Sequence, residues 1–254
     1  MDRTRREAMR LGAAALAGVG TIGIMPWRAR AAQTHATDGG EIGVHPVSHA
    51  SFVMTTPGPT IYVDPVGEPS AYAEFPDPDV ILITHQHGDH YAPETLAALV
   101  DRSGARLIVN PAVMEMLPAD LRSNATAVAN GETADAAGVP LRAIPAYNTT
   151  EGRLQYHPQG RDNGYILEID GRTVYIAGDT EDIPEMRALT GIDIAFVPFN
   201  LPYTMTEEQA ASAVAEFRPA VVYPYHYRDS DLDKFETALK AAAGDVEVIR
   251  GPWY

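Results

Sequence analysis

The residues best suited to metal chemistry form one short segment, Thr84-His85-Gln86-His87-Gly88-Asp89-His90. It follows the run 80–84 (VILIT), which predicts a short buried strand. Alternate side chains of an extended chain point the same way, so His85 and His87 should face one position. Gly88 permits a sharp bend that would turn the last two residues toward a second position. Imidazole and carboxylate ligands suit Zn²⁺, and also Mn²⁺ or Fe.

A solvated polar loop is the alternative interpretation of this segment. It is disfavoured because three of the eight histidines in the chain fall within these seven residues. A histidine-rich tag would lie at a terminus, whereas this segment follows an apolar run in the body of the chain. The pattern therefore predicts a metal site.

Composition limits the class of protein and of partner. The 254 residues are 45% apolar, which predicts one domain with a large core. A formal net charge of −15 disfavours nucleic acid as a partner. The chain has no cysteine, so neither a thiolate ligand nor a thiol nucleophile is available. The composition does not indicate an oligomeric state.

The first 31 residues have the organisation of an export signal. Four arginines precede the apolar run 11–25, and Ala29-Arg30-Ala31 resembles a cleavage site. The run of 15 residues is shorter than the ~20 that a membrane span needs. The segment 4–10 (TRREAMR) resembles the twin-arginine signal, although Ala8 replaces the usual phenylalanine. An ordinary secretory signal and an uncleaved anchor are the alternatives.

These features divide the chain into a signal (1–31), a small and polar linker (32–40) and one domain (41–254). The predicted location is the periplasm or the medium, with no membrane span left once the signal is removed. Loss of the signal, with six arginines and two acidic residues, leaves the remainder four charges more negative.

Strands and helices alternate through the domain. The predicted strands are 51–54, 60–63, 80–84, 107–109, 165–169, 173–177, 192–197 and 220–223. The predicted helices are 93–100, 111–116, 184–189, 206–217 and 232–243, the fourth opening with a capping box at Thr206 and Gln209.

Two of the predicted hairpins resemble each other. SFVMTTPGPTIYVDP runs into a buried strand, as does GYILEIDGRTVYIAGD, and both end in an aspartate, Asp64 and Asp179. An internal duplication predicts two similar halves packed face to face. Chance similarity between common hairpins is the alternative.

The metal segment resembles the T-H-x-H-x-D-H hallmark of the metallo-β-lactamase superfamily. Ala177-Gly178-Asp179-Thr180 resembles the A-G-D-T of that family, and Pro224-Tyr225-His226-Tyr227 its late histidine segment. Segments 48–51 and 63–65 resemble the branch containing ascorbate-6-phosphate lactonase-like and phospholipase D-like enzymes. The resemblance implies an α/β (α+β) fold, an αββα sandwich of two mixed sheets with outer helices.

The resemblance also implies a site for two divalent ions, most simply zinc. His85 and His87 would bind one ion, Asp89, His90 and His226 the other, and Asp179 would bridge them. The family supplies a further histidine to the first ion, but Asn148 stands where it is expected. His157, nine residues later, is the candidate replacement. Without either ligand, the first ion would be weakly held.

The expected activity is hydrolysis of a small ester, lactone or phosphodiester by a metal-activated hydroxide. Asp89 is the candidate catalytic residue, which orients the hydroxide or accepts its proton. Asp64 is expected to orient a ligand histidine, and His49 to pack or act through a ligand. Two alternatives stay open: a di-iron redox protein, and a non-catalytic periplasmic binder of a metal or ligand. Fold resemblance does not determine the substrate.

Overall fold

Two β-sheets form the centre of the molecule. The computed structural model describes residues 33–254, so the predicted export signal, residues 1–31, lies outside the described residues. Within them, each sheet has seven strands that lie side by side in chain order. The first sheet contains β1 (Gln33–Ala36), β2 (Glu41–Ser48), β3 (Ser51–Thr55), β4 (Ile61–Val63), β5 (Val80–Ile83), β6 (Arg106–Val109) and β7 (Ala125–Ala127).

The second sheet repeats the pairing pattern of the first. It contains β8 (Thr133–Asp135), β9 (Pro140–Ala146), β10 (Asp162–Ile169), β11 (Arg172–Ile176), β12 (Ile194–Pro198), β13 (Val221–Tyr225) and β14 (Glu247–Val248). In each sheet the first four strands pair antiparallel and the last three add in parallel. The duplication predicted from the two hairpins, now β3–β4 and β10–β11, is therefore confirmed at the level of topology.

Helices cover the outer faces of the sandwich. They are α1 (Pro93–Ser103), α2 (Pro111–Met116), α3 (Ala119–Arg122), α4 (Pro184–Arg187), α5 (Glu207–Phe217) and α6 (Leu232–Ala242), and a 3₁₀ turn lies at Pro69–Tyr72. Apolar residues of α1 to α3 pack on the first sheet, and those of α4 to α6 on the second. The capping box at Thr206 and Gln209 is present at the start of α5. The αββα architecture expected from the sequence is confirmed.

The central strands are apolar on both faces because they are covered on both sides, by the other sheet and by helices. In β3, Phe52 and Met54 face the other sheet, whereas Val53 faces the helices. Phe196 lies at the centre of the inter-sheet core, stacked between Phe52 at 4.2 Å and Tyr223 at 5.0 Å between ring centroids. The two sheets therefore share one core, which fixes the loops of one sheet relative to those of the other.

The predicted linker at 32–40 is partly wrong, because residues 33–36 form β1. This strand pairs antiparallel with β2, from Gln33 opposite Val44 to Ala36 opposite Glu41. The residues that follow contact the second sheet, where the Asp170 carboxylate accepts hydrogen bonds from Thr37 Oγ1 and Gly39 N. Backbone pairing needs no apolar side chains, so a small and polar segment still becomes an edge strand.

The sequence also left several strands unassigned, namely β2, β7, β8, β9 and β14. Strand β9 carries two prolines and an arginine (PLRAIPA), which weaken the apolar alternation. Among the helices of residues 33–254, none combines the length and the apolar character that a membrane crossing requires.

Replacement of Phe196 by alanine should destabilise the fold strongly. The ring is fully buried between the sheets, and loss of such a side chain leaves a cavity that costs about 3–5 kcal/mol. Denaturant unfolding measures the change in the free energy of unfolding. Met116→Ala is the control, since Met116 is 54% exposed. Equal stability of the two variants would contradict the inter-sheet packing described here.

Candidate metal centre

The candidate site lies where connections from both sheets meet. The first sheet contributes the loop 85–90 after β5, and the second contributes Asp179 after β11, His226 after β13 and His157 before β10. Gly178 makes the turn before Asp179 possible, since its φ is +65° and a Cβ there would lie 2.6 Å from the Asn163 carbonyl oxygen.

Three histidines and one carboxylate form the first half of the site. His85 Nε2 lies 3.0 Å from His87 Nδ1, which in turn lies 3.2 Å from His157 Nε2. The Asp179 Oδ2 atom lies 3.5 Å from His157 Nε2 and 3.9 Å from His85 Nε2. The histidine that the sequence left open is therefore His157.

The second half of the site shares Asp179 with the first. Its Oδ1 lies 3.3 Å from His90 Nε2, and its Oδ2 lies 3.2 Å from His226 Nε2. Asp89 Oδ2 completes the group at 3.5 Å from His226 Nε2. Two sets of four ligand atoms, each with a carboxylate oxygen from Asp179, thus lie side by side.

The donor set fits a pair of divalent cations. In a tetrahedral zinc site, bonds of ~2.0–2.1 Å place neighbouring ligand atoms roughly 3.3 Å apart, close to the separations seen here. Among residues 33–254, His90 Nε2, His226 Nε2 and Asp179 Oδ1 are buried and have no hydrogen-bond partner. Buried polar atoms without partners are costly, and a cation between them would satisfy all three.

A hydrogen-bonded pair, Asp64 and Thr84, orients two of the ligand histidines. Asp64 Oδ2 lies 2.7 Å from His90 Nδ1 and accepts a 2.7 Å hydrogen bond from the Thr84 hydroxyl. Thr84 Oγ1 lies 3.0 Å from His85 Nδ1. With the Nδ1 hydrogens of both rings engaged, the Nε2 lone pairs point into the site. Asp64 thus makes the contact expected of an orienting carboxylate, whereas no role was predicted for Thr84, although it belongs to the metal segment.

Asn148 acts on His157 and does not replace it. Its Oδ1 lies 2.6 Å from His157 Nδ1, while its Nδ2 donates to the Tyr203 carbonyl at 2.8 Å. This second hydrogen bond settles which way the amide faces. Asn148 therefore fixes the ring so that Nε2 is free to bind a cation.

Glu181 anchors the loop that carries these two residues. Its buried Oε2 accepts hydrogen bonds from Thr149 N, Thr149 Oγ1 and Thr150 N at 2.7–2.9 Å, and its Oε1 lies 2.7 Å from Arg153 Nη2. Glu181 is two residues beyond Asp179, so the Asp179 carboxylate and the loop of His157 are held by one short segment. In the sequence, only the position of Glu181 directly after A-G-D-T could have indicated this role.

Burial and charge set the protonation states of the site. Burial lowers the pKa of His157 to about 4 and holds that of His85 well below its usual value, so both rings are neutral at pH 7, as metal binding requires. Burial by itself would raise the pKa of Asp179, but His226 and His90 hold it well below its ordinary range. For His90 the directions are reversed: burial by itself would lower its pKa, but the carboxylates of Asp179 and Asp64 raise it well above its usual value.

Comparison with known proteins agrees with this geometry. Residues 44–226 match the family described as beta-lactamase superfamily domain. The chain is 32% identical over 191 residues to a UPF0173 metal-dependent hydrolase of Pyrococcus abyssi, an alignment that covers 71% of this chain and 82% of the relative. This chain belongs to the metallo-β-lactamase superfamily. Within it, the hydrolase belongs with the UPF0173 metal-dependent hydrolases, and the predicted enzyme class is confirmed.

Two solved structures resemble the hydrolase over most of their length. A Parabacteroides distasonis protein, assigned as a metal-dependent hydrolase, is 42% identical with a TM-score of 0.79, over 87% of this chain and 98% of that one. Igni18, a metallo hydrolase from Ignicoccus hospitalis, is 26% identical with a TM-score of 0.67, over 82% and 93%. These similarities confirm the predicted fold of the hydrolase and leave its substrate open.

The predicted ligand residues all meet at one place in the hydrolase. Those brought together are His85, His87, Asp89, His90, His157, Asp179 and His226. Their binding of ions remains a prediction. His49, for which the sequence favoured an indirect role, also lies in the site, beside Asp89 and His226.

Asn148→Ala should weaken cation binding at the first half of the site. Loss of the Asn148 oxygen removes the acceptor for His157 Nδ1, so the ring can turn away. Loss of such an orienting partner typically costs 10–100-fold in metal affinity, and chelator competition measures the two stepwise dissociation constants. The control is Asn130→Ala, which removes two side-chain hydrogen bonds to Asp162 and Asn163. Unchanged binding in Asn148→Ala would contradict this role.

Proposed function

We propose that the chain is an exported hydrolase that holds two divalent cations, zinc before manganese or iron, and cleaves a small ester, lactone or phosphodiester. The observation that carries the proposal is the position of Asp179 between two histidine groups. Its Oδ1 lies 3.3 Å from His90 Nε2, and its Oδ2 lies 3.5 Å from His157 Nε2 and 3.2 Å from His226 Nε2. A single ion could use only one group. The shared carboxylate therefore favours a pair of ions, as the resemblance of the sequence to this superfamily also implies.

Two cations in such a site supply Lewis acidity, which lowers the pKa of water toward ~7 and polarises a carbonyl or phosphoryl oxygen. His85, His157 and Asp179, whose side chains are at most 3% exposed, form a wall that excludes bulk solvent. The Asp89 side chain is 38% exposed. The substrate is therefore expected to approach from the side of Asp89.

Asp89 is the residue best placed to control the attacking water. Burial alone would raise its pKa, but the neighbouring imidazoles of His226 and His49 hold it far below the usual range. Such a weakly basic carboxylate accepts a proton poorly, but its partly exposed side chain can still accept a hydrogen bond from water. Of the two roles considered for Asp89, orientation of the water is therefore favoured over removal of its proton.

Asp89→Ala should abolish hydrolysis. Purified wild-type protein is expected to contain close to two metal ions per chain by elemental analysis and to hydrolyse at least one class in a panel of lactones, thioesters and phosphodiesters. Loss of the Asp89 carboxylate removes both a cation ligand and the group that orients the water, so turnover should fall at least 100-fold.

The matched control is Asp120→Ala, since Asp120 is an exposed carboxylate of α3. Its turnover should equal that of the wild type. Retained activity in Asp89→Ala would contradict the mechanism. Two irons per chain with no turnover of any ester would favour the redox alternative, and bound metal without turnover would favour the non-catalytic binder.

Export by the twin-arginine route should depend on Arg5 and Arg6. The double variant Arg5→Lys, Arg6→Lys keeps the positive charge that an ordinary secretory signal needs but loses the guanidinium pair. We expect this variant to stay in the cytoplasm, as measured by fractionation of expressing cells. The wild type is the control, and equal export of the two proteins would instead favour the ordinary secretory signal.

A further inference from the structure

His49 lies beside the second half of the site in a strained turn between β2 and β3. It is buried and has a φ of +53°, which is uncommon for a residue other than glycine. Its backbone carbonyl accepts a hydrogen bond from His226 N at 3.1 Å, and its ring lies on the His226 ring with centroids 3.8 Å apart. Its Nε2 lies 3.2 Å from Asp89 Oδ2. Strain of this kind persists where the surrounding contacts determine the conformation.

Tyr254 contacts the opposite nitrogen of His49. The Tyr254 hydroxyl oxygen lies 2.7 Å from His49 Nδ1 and accepts a hydrogen bond from Arg228 N at 2.8 Å. The preceding residue, Trp253, is buried among the rings of Phe52 and Tyr225, and its carbonyl accepts from His49 N at 3.0 Å. The position of the Tyr254 hydroxyl is therefore fixed by the core, although the side chain itself is 62% exposed.

The hydrogens in this chain of contacts allow an arrangement in which His49 donates to Asp89. The Tyr254 oxygen accepts from Arg228 N, so its own hydrogen is available for His49 Nδ1. A neutral imidazole that accepts at Nδ1 carries its hydrogen on Nε2 and donates it to Asp89. We propose that Tyr254 is a positioning residue of the second half of the site. It holds His49 in the tautomer that donates its Nε2 hydrogen, and this hydrogen bond sets the direction of the Asp89 carboxylate.

The ligand inventory supports a positioning role for His49. Asp89, His90, His226 and Asp179 already supply four ligand atoms to the second half, which is the usual number for zinc. The duplicated topology gives further support. His49 lies between β2 and β3, and the equivalent connection of the second sheet, between β9 and β10, carries Asn148 and His157. In both sheets, this connection places an imidazole in the candidate metal centre.

This inference rests on the proposed binding of two cations, and the experiment reports on each separately. Co²⁺ titration with a competing chelator gives two stepwise dissociation constants, and Asn148→Ala identifies the one that belongs to the first half. Tyr254→Phe removes only the hydroxyl and should weaken the second constant about tenfold while leaving the first unchanged. Tyr62→Phe is the control, because its hydroxyl makes a remote hydrogen bond to the Pro76 carbonyl.

Two substitutions of His49 separate a donor from a ligand. His49→Gln keeps an N–H group near the position of Nε2, so it should bind the second Co²⁺ within about threefold of the wild type, with the same visible absorption bands. His49→Ala should bind the second Co²⁺ about tenfold more weakly than the wild type, as Tyr254→Phe does. Melting of the metal-free proteins by circular dichroism shows that each variant is folded.

Three results would overturn the inference. The first is a second dissociation constant for Tyr254→Phe that lies within twofold of the wild-type value. The second is a His49→Gln protein that is as weak as His49→Ala or has altered bands, because His49 would then be a ligand. The third is an equal weakening of both Co²⁺ dissociation constants in Tyr254→Phe. If the wild type binds fewer than two Co²⁺ ions, the proposed function fails first and the inference fails with it.

Discussion

The buried carboxylate of Asp179 is the constraint on which the rest of the structure depends. A charge removed from water costs several kcal/mol unless partners compensate it. Here the partners are imidazoles from both sheets, including His85 and His90 from the first and His157 and His226 from the second. The sandwich must close correctly for this compensation to exist, so the inter-sheet core and the site are established together.

Around this charge, each half of the site depends on hydrogen bonds from side chains outside the predicted ligand set. Asp64 and Thr84 engage the Nδ1 atoms of two ligand histidines, and Asn148 engages that of His157. These hydrogen bonds determine which ring nitrogen carries the hydrogen, and hence where the lone pair points. The precision of the site is therefore a property of the surrounding hydrogen bonds as much as of the ligands.

The duplicated topology explains how one fold produces two unlike halves. Asp64 follows β4 and Asp179 follows the equivalent strand β11. Asp64 lies 2.7 Å from His90 Nδ1, whereas Asp179, which follows the turn at Gly178, lies between the two groups of imidazoles. The same backbone plan thus gives different chemistry where a local turn redirects one side chain.

The sequence by itself determined the local parts of this protein. The metal segment at 84–90, the A-G-D-T turn, the two hairpins and most strands were predicted, because spacing along the chain sets the direction of neighbouring side chains. Only the tertiary structure decided that His157 joins the centre while Asn148 orients it, that His49 lies beside Asp89, and that residues 33–36 form a strand. Those outcomes depend on segments tens of residues apart meeting in space, and the packing of the two sheets, which no local pattern records, brings them together.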